Sequence, residues 1–154
     1  MNTMFHTRRR PLAAVVVIGA GMLSALAAQA ANPPIHESQG IEYMSGGIGS
    51  DEARFMQTVS PRWPATLEFA IKDPADTQGA DFAANVRVQV RDASEHAVLD
   101  TLSEGPFMLT RLAPGHYDVE ATLDGQTLKQ ELTVRAGVPS KRLFVWPASA
   151  LHSE

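Results

Sequence analysis

From position 66 to position 147, apolar and polar residues alternate with a period of two, the period at which side chains of a β-strand change face. Leu67, Phe69 and Ile71 interleave with Glu68, Ala70 and Lys72, and Val86, Val88 and Val90 interleave with Arg87, Gln89 and Arg91. Further short runs follow at 98–102, 107–112, 116–123, 126–135 and 141–146. A polar loop at 73–81, a hairpin loop at 103–106 and a Pro-Gly turn at 113–115 punctuate them. Seven short strands separated by turn residues predict an all-β protein, an antiparallel sandwich of about seven strands.

The sharpest local signal is Asp124-Gly125. Two residues of this type between alternating runs predict a type I′ hairpin, because both must take positive φ. The turn then sets a register: Leu123 with Gln126, Ala121 with Leu128, Val119 with Gln130 and Tyr117 with Leu132 on the inner face. On the outer face Thr122 meets Thr127, Glu120 meets Lys129, and Asp118 meets Glu131. The last pair sets like charges opposite each other, a mild destabilisation.

Upstream the pattern changes. Residues 31–40 hold Pro33 and Pro34 and read as a leader, and 41–49 hold Gly46, Gly47 and Gly49 and read as a turn-rich connection. A short helix is expected over Ser50–Val59. Ser50 is the expected N-cap, Asp51 and Glu52 complement the positive end of the helix dipole, and Phe55, Met56 and Val59 share a face. Pro61 and Pro64 end it. Downstream, the last strand is apolar on both sides, with Leu143 and Val145 opposing Phe144 and Trp146; a strand with one wet face does not read that way. The expectation is that the helix or the N-terminal segment covers its second face. The alternative is an exposed aromatic patch that binds a ligand.

The first thirty residues carry a different message. Arg8, Arg9 and Arg10 precede an apolar run from Pro11 to Ala28, and Ala28-Gln29-Ala30 fits a small-x-small cleavage site. This is the pattern of an export signal cleaved after Ala30, and it implies a periplasmic or secreted protein. An uncleaved membrane anchor is the alternative; Gly19, Gly21 and Ser24 weaken it. The export route, general secretory or twin-arginine, stays open. The chain has no cysteine, which excludes a lipid anchor, a disulfide framework and a thiolate site. Removing 1–30 takes three arginines and no acids, so 10 basic against 17 acidic residues remain and the net charge moves from −4 to −7. Such a chain suits neither nucleic acid nor anionic lipid, and no membrane span is expected in it. The expected organisation is a cleavable signal at 1–30, leader, Gly-rich turn and helix at 31–65, a β-sandwich at 66–147 and a tail at 148–154.

Gly105-Pro106-Phe107-Met108-Leu109, followed by Leu112-Ala113-Pro114-Gly115-His116-Tyr117-Asp118-Val119, resembles the G-x-F … L-P-P-G-x-Y-x-V pattern of carboxypeptidase regulatory-like domains, which are transthyretin-like (prealbumin-like) β-sandwiches. Ala113 replaces the usual first proline. The resemblance covers about 67–146. The stretch from Tyr43 to Glu52 also resembles the lead-in of small exported proteobacterial proteins with this domain, which are of uncharacterised function. The resemblance implies an accessory module that aids folding, adhesion or binding; some relatives share a carbohydrate-binding-like fold. It implies no peptidase activity, since it is to the appended domain and not to the zinc enzyme. Independently of any family, Pro114-Gly115 makes a turn and Tyr117 is expected to enter the core with its hydroxyl reaching backbone at the sandwich end.

Chemistry is sparse. No metal-ligand spacing occurs, and His116, Asp118 and Glu120 with Glu131 opposite read as a solvated acidic face that could at most hold a divalent cation weakly. The glycines at 46–49 precede a helix but lack the lysine of a phosphate loop. No nucleophile elbow is present. No catalytic residue, cofactor or metal ligand is therefore assigned. The candidate ligand surface is aromatic: Tyr43, Trp63, Phe144 and Trp146. The expected function is a non-catalytic protein-interaction or structural accessory module of the cell envelope. A carbohydrate-binding module is the alternative, so the expected partner is an envelope protein or a glycan.

Overall fold

In a computed structural model the described residues are 32–151; the expected signal segment and residues 152–154 lie outside them. Among the described residues ten strands form two sheets that face each other across the main core, a sandwich-like all-β fold. The first sheet runs β1 (His36–Ser38), β2 (Ile41–Gly46), β7 (Phe107–Thr110), β3 (Ala65–Lys72) and β10 (Ser140–Pro147), with β4 (Asp81–Phe82) added beside β3. The second runs β6 (Ala97–Ser103), β5 (Val86–Asp92), β8 (Gly115–Leu123) and β9 (Gln126–Val134). No helix among these residues is long and apolar enough to cross a membrane.

All seven expected strands are present, and the β8–β9 register is the one the Asp-Gly turn dictates, from Leu123 opposite Gln126 to Tyr117 opposite Leu132. Asp124 and Gly125 have φ of 46° and 78°, as a type I′ turn requires. Glu120 pairs with Lys129 at 2.7 Å, and the hydroxyls of Thr122 and Thr127 share a hydrogen bond of 2.7 Å.

The architecture departs from the expected antiparallel seven-strand sandwich in three ways. First, the segment expected as leader and Gly-rich turn contributes two strands. Gln39 and Gly40, with φ of 52° and 82°, close the β1–β2 hairpin, and β2 then pairs with β7. Second, β10 lies parallel to β3 over its whole length, from Ser140 beside Ala65 to Pro147 beside Lys72. Third, the loop at 103–106 is no hairpin: it carries the chain from β6 in one sheet to β7 in the other. That crossing is held by polar bonds of its own. The Ser103 hydroxyl donates to the Gly105 carbonyl at 2.8 Å, Glu104 N–H to Ser45 Oγ at 3.3 Å, and Phe69 N–H to the Pro106 carbonyl at 2.9 Å.

The helix, α1 (Ser50–Val59), has the expected limits but a different start. Gly49, with φ of 86°, is the cap residue, and Ser50 is already helical and makes no side-chain cap. The carboxylate of Glu52 turns back instead and accepts Gly47 N–H at 2.6 Å and Ile48 N–H at 3.3 Å. The loop's donors thus hold the chain's own anion. Only three residues, 47–49, separate β2 from α1, and the helix lies over β2 and β7. There Met56 joins Met44, Trp63, Phe107 and Leu109 in a second, smaller core. The helix does not reach β10, which corrects the expectation that its outer face is covered: Leu143 is 50% and Val145 37% exposed.

The main core draws on both sheets, with Leu67, Phe69, Phe144 and Trp146 from one and Val88, Val90, Val119 and Leu132 from the other. Where β9 and β10 run side by side in different sheets, side chains close the gap. Gln130 donates to the Leu143 carbonyl at 2.7 Å, Arg142 to that of Glu131 at 2.8 Å, Ser140 to that of Thr133 at 2.7 Å, and Trp146 Nε1 to that of Gln126 at 3.0 Å. Both strands are edges, and these bonds occupy carbonyls that would otherwise template another chain.

On the outer face of the second sheet Arg87 bridges to Asp100 at 3.0 Å and Gln89 donates to the same carboxylate at 2.9 Å. The bonds from Arg87 and then Gln89 hold Asp100 below the usual carboxylate range. A lowered native value contributes stability above the unfolded value, and that contribution disappears as pH falls through the native value. Wild-type protein and Asp100→Asn should therefore differ in thermal midpoint at neutral pH, with the variant lower, and converge as pH drops below about 4. Thermal scans across that range check this.

Candidate functional site: a groove at one end of the sheets

β3, β8 and β10 begin, and β7 and β9 end, at the same end of the fold. The connections there enclose a groove of about 390 Å³. Its first wall is the exit of α1. A single 3-10 turn, Ser60–Arg62, carries Pro61, and Trp63 follows in extended backbone with its N–H bonded to the Ser60 carbonyl at 3.0 Å. Pro61 and Pro64 leave this segment little freedom, because each fixes its own φ. Trp63 is 5% exposed, its ring set into the smaller core.

The second wall follows β7. Arg111 N–H donates to the Glu42 carbonyl at 2.9 Å, and its guanidinium lies 4.3 Å from the centre of the Trp63 ring while Nε bonds the Glu42 carboxylate at 2.9 Å. A guanidinium stacked on an indole keeps its edge free for hydrogen bonding, so Arg111 is held in one orientation by ring and carboxylate together. Leu112 is buried beneath it, and Pro114 leads into β8. Behind this turn the Tyr117 hydroxyl donates to the Ala113 carbonyl at 2.6 Å, as the sequence led one to expect. Burial first, and then the charge of Asp92, raises that phenol above its ordinary value.

The third wall is the 135–139 turn between β9 and β10. Val138 N–H returns to the Arg135 carbonyl at 3.3 Å and Gly137 takes a φ of 72°. Ser140 N–H bonds the Pro64 carbonyl at 2.9 Å, tying this wall to the first. The lining thus combines three arginines, at 62, 111 and 135, with prolines, Trp63 and the exposed Val138.

Of the aromatic residues singled out in the sequence, only Trp63 reaches this groove. Phe144 and Trp146 are fully buried, packed on Phe69 with ring centres 5.8 and 6.3 Å away. The alternation along β10 sends these two inward and leaves Leu143 and Val145 outside, so the rings meet no solvent. Tyr43 is half-buried on β2; its ring stacks on His36 at 5.4 Å and its hydroxyl accepts a bond from Thr101 at 2.9 Å. The four do not form one surface. The acidic strand face does not assemble either: His116 is engaged with Thr133 at 3.0 Å, Glu120 with Lys129, and no cluster of three or more His, Asp or Glu among the described residues could hold a metal ion.

No local pattern in the sequence joins the three arginines, because each lies in or beside a different connection. The available signal was that Arg111 and Arg135 directly follow strands and Arg62 closes the turn after the helix, in an acidic chain. In comparisons with known proteins, no family model matches the chain, and no curated protein matches it.

Proposed function

We propose that this chain is an exported, non-catalytic binding module of the cell envelope, of the carboxypeptidase regulatory-like kind, and that it engages a partner protein through the end groove. The observation that carries this reading is the chemistry of the groove's lining. Arginine, proline, glycine and apolar side chains make it up, and none is a nucleophile or a group that exchanges protons near neutral pH. A pocket so lined is equipped to hold a ligand and not to transform it. Proline-rich walls tied by backbone hydrogen bonds are preorganised, which lowers the ordering cost of binding. The Gly105–Val119 motif supports the family reading, with Leu112 buried and the Tyr117 hydroxyl bonded to the Ala113 carbonyl. Burial of Phe144, Trp146 and Trp63 speaks for a structural use of these rings and against a sugar-stacking platform.

Val138→Trp tests the reading, since it fills the groove from an exposed position without adding charge. The wild-type protein should retain an envelope protein in stoichiometric amount from detergent extract, and the variant should lose it with an unchanged thermal midpoint. A partner retained equally by both would place the interface elsewhere, and retention of glycans alone on a sugar array would favour the carbohydrate-binding alternative.

A further inference from the structure

The distribution of ion pairs is uneven in a way that bears on the groove. Among the described residues Arg54 pairs with Asp51, Arg87 with Asp100, Arg111 with Glu42, Lys129 with Glu120 and Lys141 with Glu68. Arg91 and Arg142 spend their donors on backbone carbonyls. The side chains of Lys72, Arg62 and Arg135 have neither a carboxylate nor a carbonyl partner among these residues; of the three, the two guanidinium groups line the groove and Lys72 does not. In a chain where acids outnumber bases by 17 to 13, carboxylates are plentiful, yet both unmatched guanidinium groups among the described residues line the same depression.

We propose that the groove binds an acidic, extended segment of a partner protein. Carboxylates of that segment take Arg62 and Arg135, and its apolar or proline side chains lie against Pro61, Pro114 and Val138. Charge complementarity selects the occupant. Arg111 displays the mode on a carboxylate of the chain itself: Glu42 sits on one edge of its guanidinium while the Trp63 ring backs the plane. A guanidinium fork matches a carboxylate in two parallel bonds, and the match is stronger in a walled groove than on open surface. The space, about 390 Å³, lies at the small end of the range for ligand sites and takes two or three residues of extended chain. The flat, donor-poor proline walls suit a segment that brings its own rigidity, such as glutamate interspersed with proline.

This inference rests on the proposed binding role, and its test is separable from that of the role. The probe is a short acetylated peptide amide in which glutamate alternates with proline, titrated calorimetrically into the purified protein. Its lysine counterpart and inorganic phosphate are the comparison ligands. The glutamate peptide should bind, more weakly as salt is raised, and the lysine peptide should not. The double variant R62Q/R135Q should lose at least about tenfold in affinity. Arg54→Gln, which removes an exposed arginine on α1, should bind as wild type does. Equal binding by R62Q/R135Q, or none by the wild type, overturns the proposal. Displacement of the peptide by phosphate at equal concentration also overturns it, by making the site one for small oxyanions. An envelope partner lost on Val138→Trp but kept by R62Q/R135Q would leave the binding role standing and remove this inference alone.

Discussion

Gly105→Ala is expected to cost about 3 kcal/mol of stability, the upper range for forcing an extra carbon into packed structure. A Cβ at this position would run into the carbonyl group of Gly46, which is backbone and cannot swing aside. The φ of Gly105 lies outside the left-handed region, so the penalty is one of space and not of backbone conformation. Space is short because the crossing from β6 to β7 passes directly over the end of β2. Gly46 cannot retreat, since its other side faces the Glu52 carboxylate and Pro33. Gly40→Ala makes the contrast. It has a φ of 82° but nothing within 4 Å, so only the left-handed backbone is penalised, at about 1 kcal/mol. Urea unfolding midpoints of the two variants, read with the m-value, check both figures.

Trp146→Ala is expected to be at least as damaging, by about 3–5 kcal/mol, the range for emptying the site of a buried aromatic. The ring is fully buried between Phe69 and Phe144, and its N–H reaches the Gln126 carbonyl in the opposite sheet at 3.0 Å. Losing it opens a cavity in the main core and unties one of the side-chain bonds that close the β9–β10 gap. For a domain of ordinary stability, about 5–15 kcal/mol, that is a large share. Trp146→Phe separates the two contributions: it keeps most of the packing and gives up the hydrogen bond, at about 1–2 kcal/mol. If Trp146 served instead as a ligand platform, Trp146→Ala would unfold at the wild-type midpoint and lose binding alone.

Trp146 also shows what the sequence could and could not convey. The alternation at 141–146 located the strand, and the period of two already separated Phe144 and Trp146 from Leu143 and Val145. What it could not supply was which face looks inward, because both sets are apolar. The Asp124-Gly125 turn was legible to the residue, since a two-residue turn fixes register through local geometry alone. The β1–β2 hairpin was not. Its turn, Gln39-Gly40, lacks the Asn or Asp that flags a type I′ site, and β2 is glycine-bearing with both faces occupied. Tyr43 and Ser45 reach towards β6, while Met44 sits under α1. The parallel pairing of β10 with β3 joins positions some 75 residues apart, and no local pattern encodes such a partner. The groove belongs to this non-local class. Arg62, Arg111 and Arg135 come together only because β3, β7, β9 and β10 end or begin at the same level.

The most direct measurement is amide chemical-shift mapping of the wild-type protein during titration with the glutamate–proline peptide. The expected result is a set of shifts confined to the amides of 62–63, 111–113 and 135–138, the adjoining prolines having none, with the 141–147 strand unmoved except where it joins the last turn. Shifts centred on Leu143 and Val145, or on Tyr43 and His36, would contradict the assignment of binding to the end groove and move it to a sheet face.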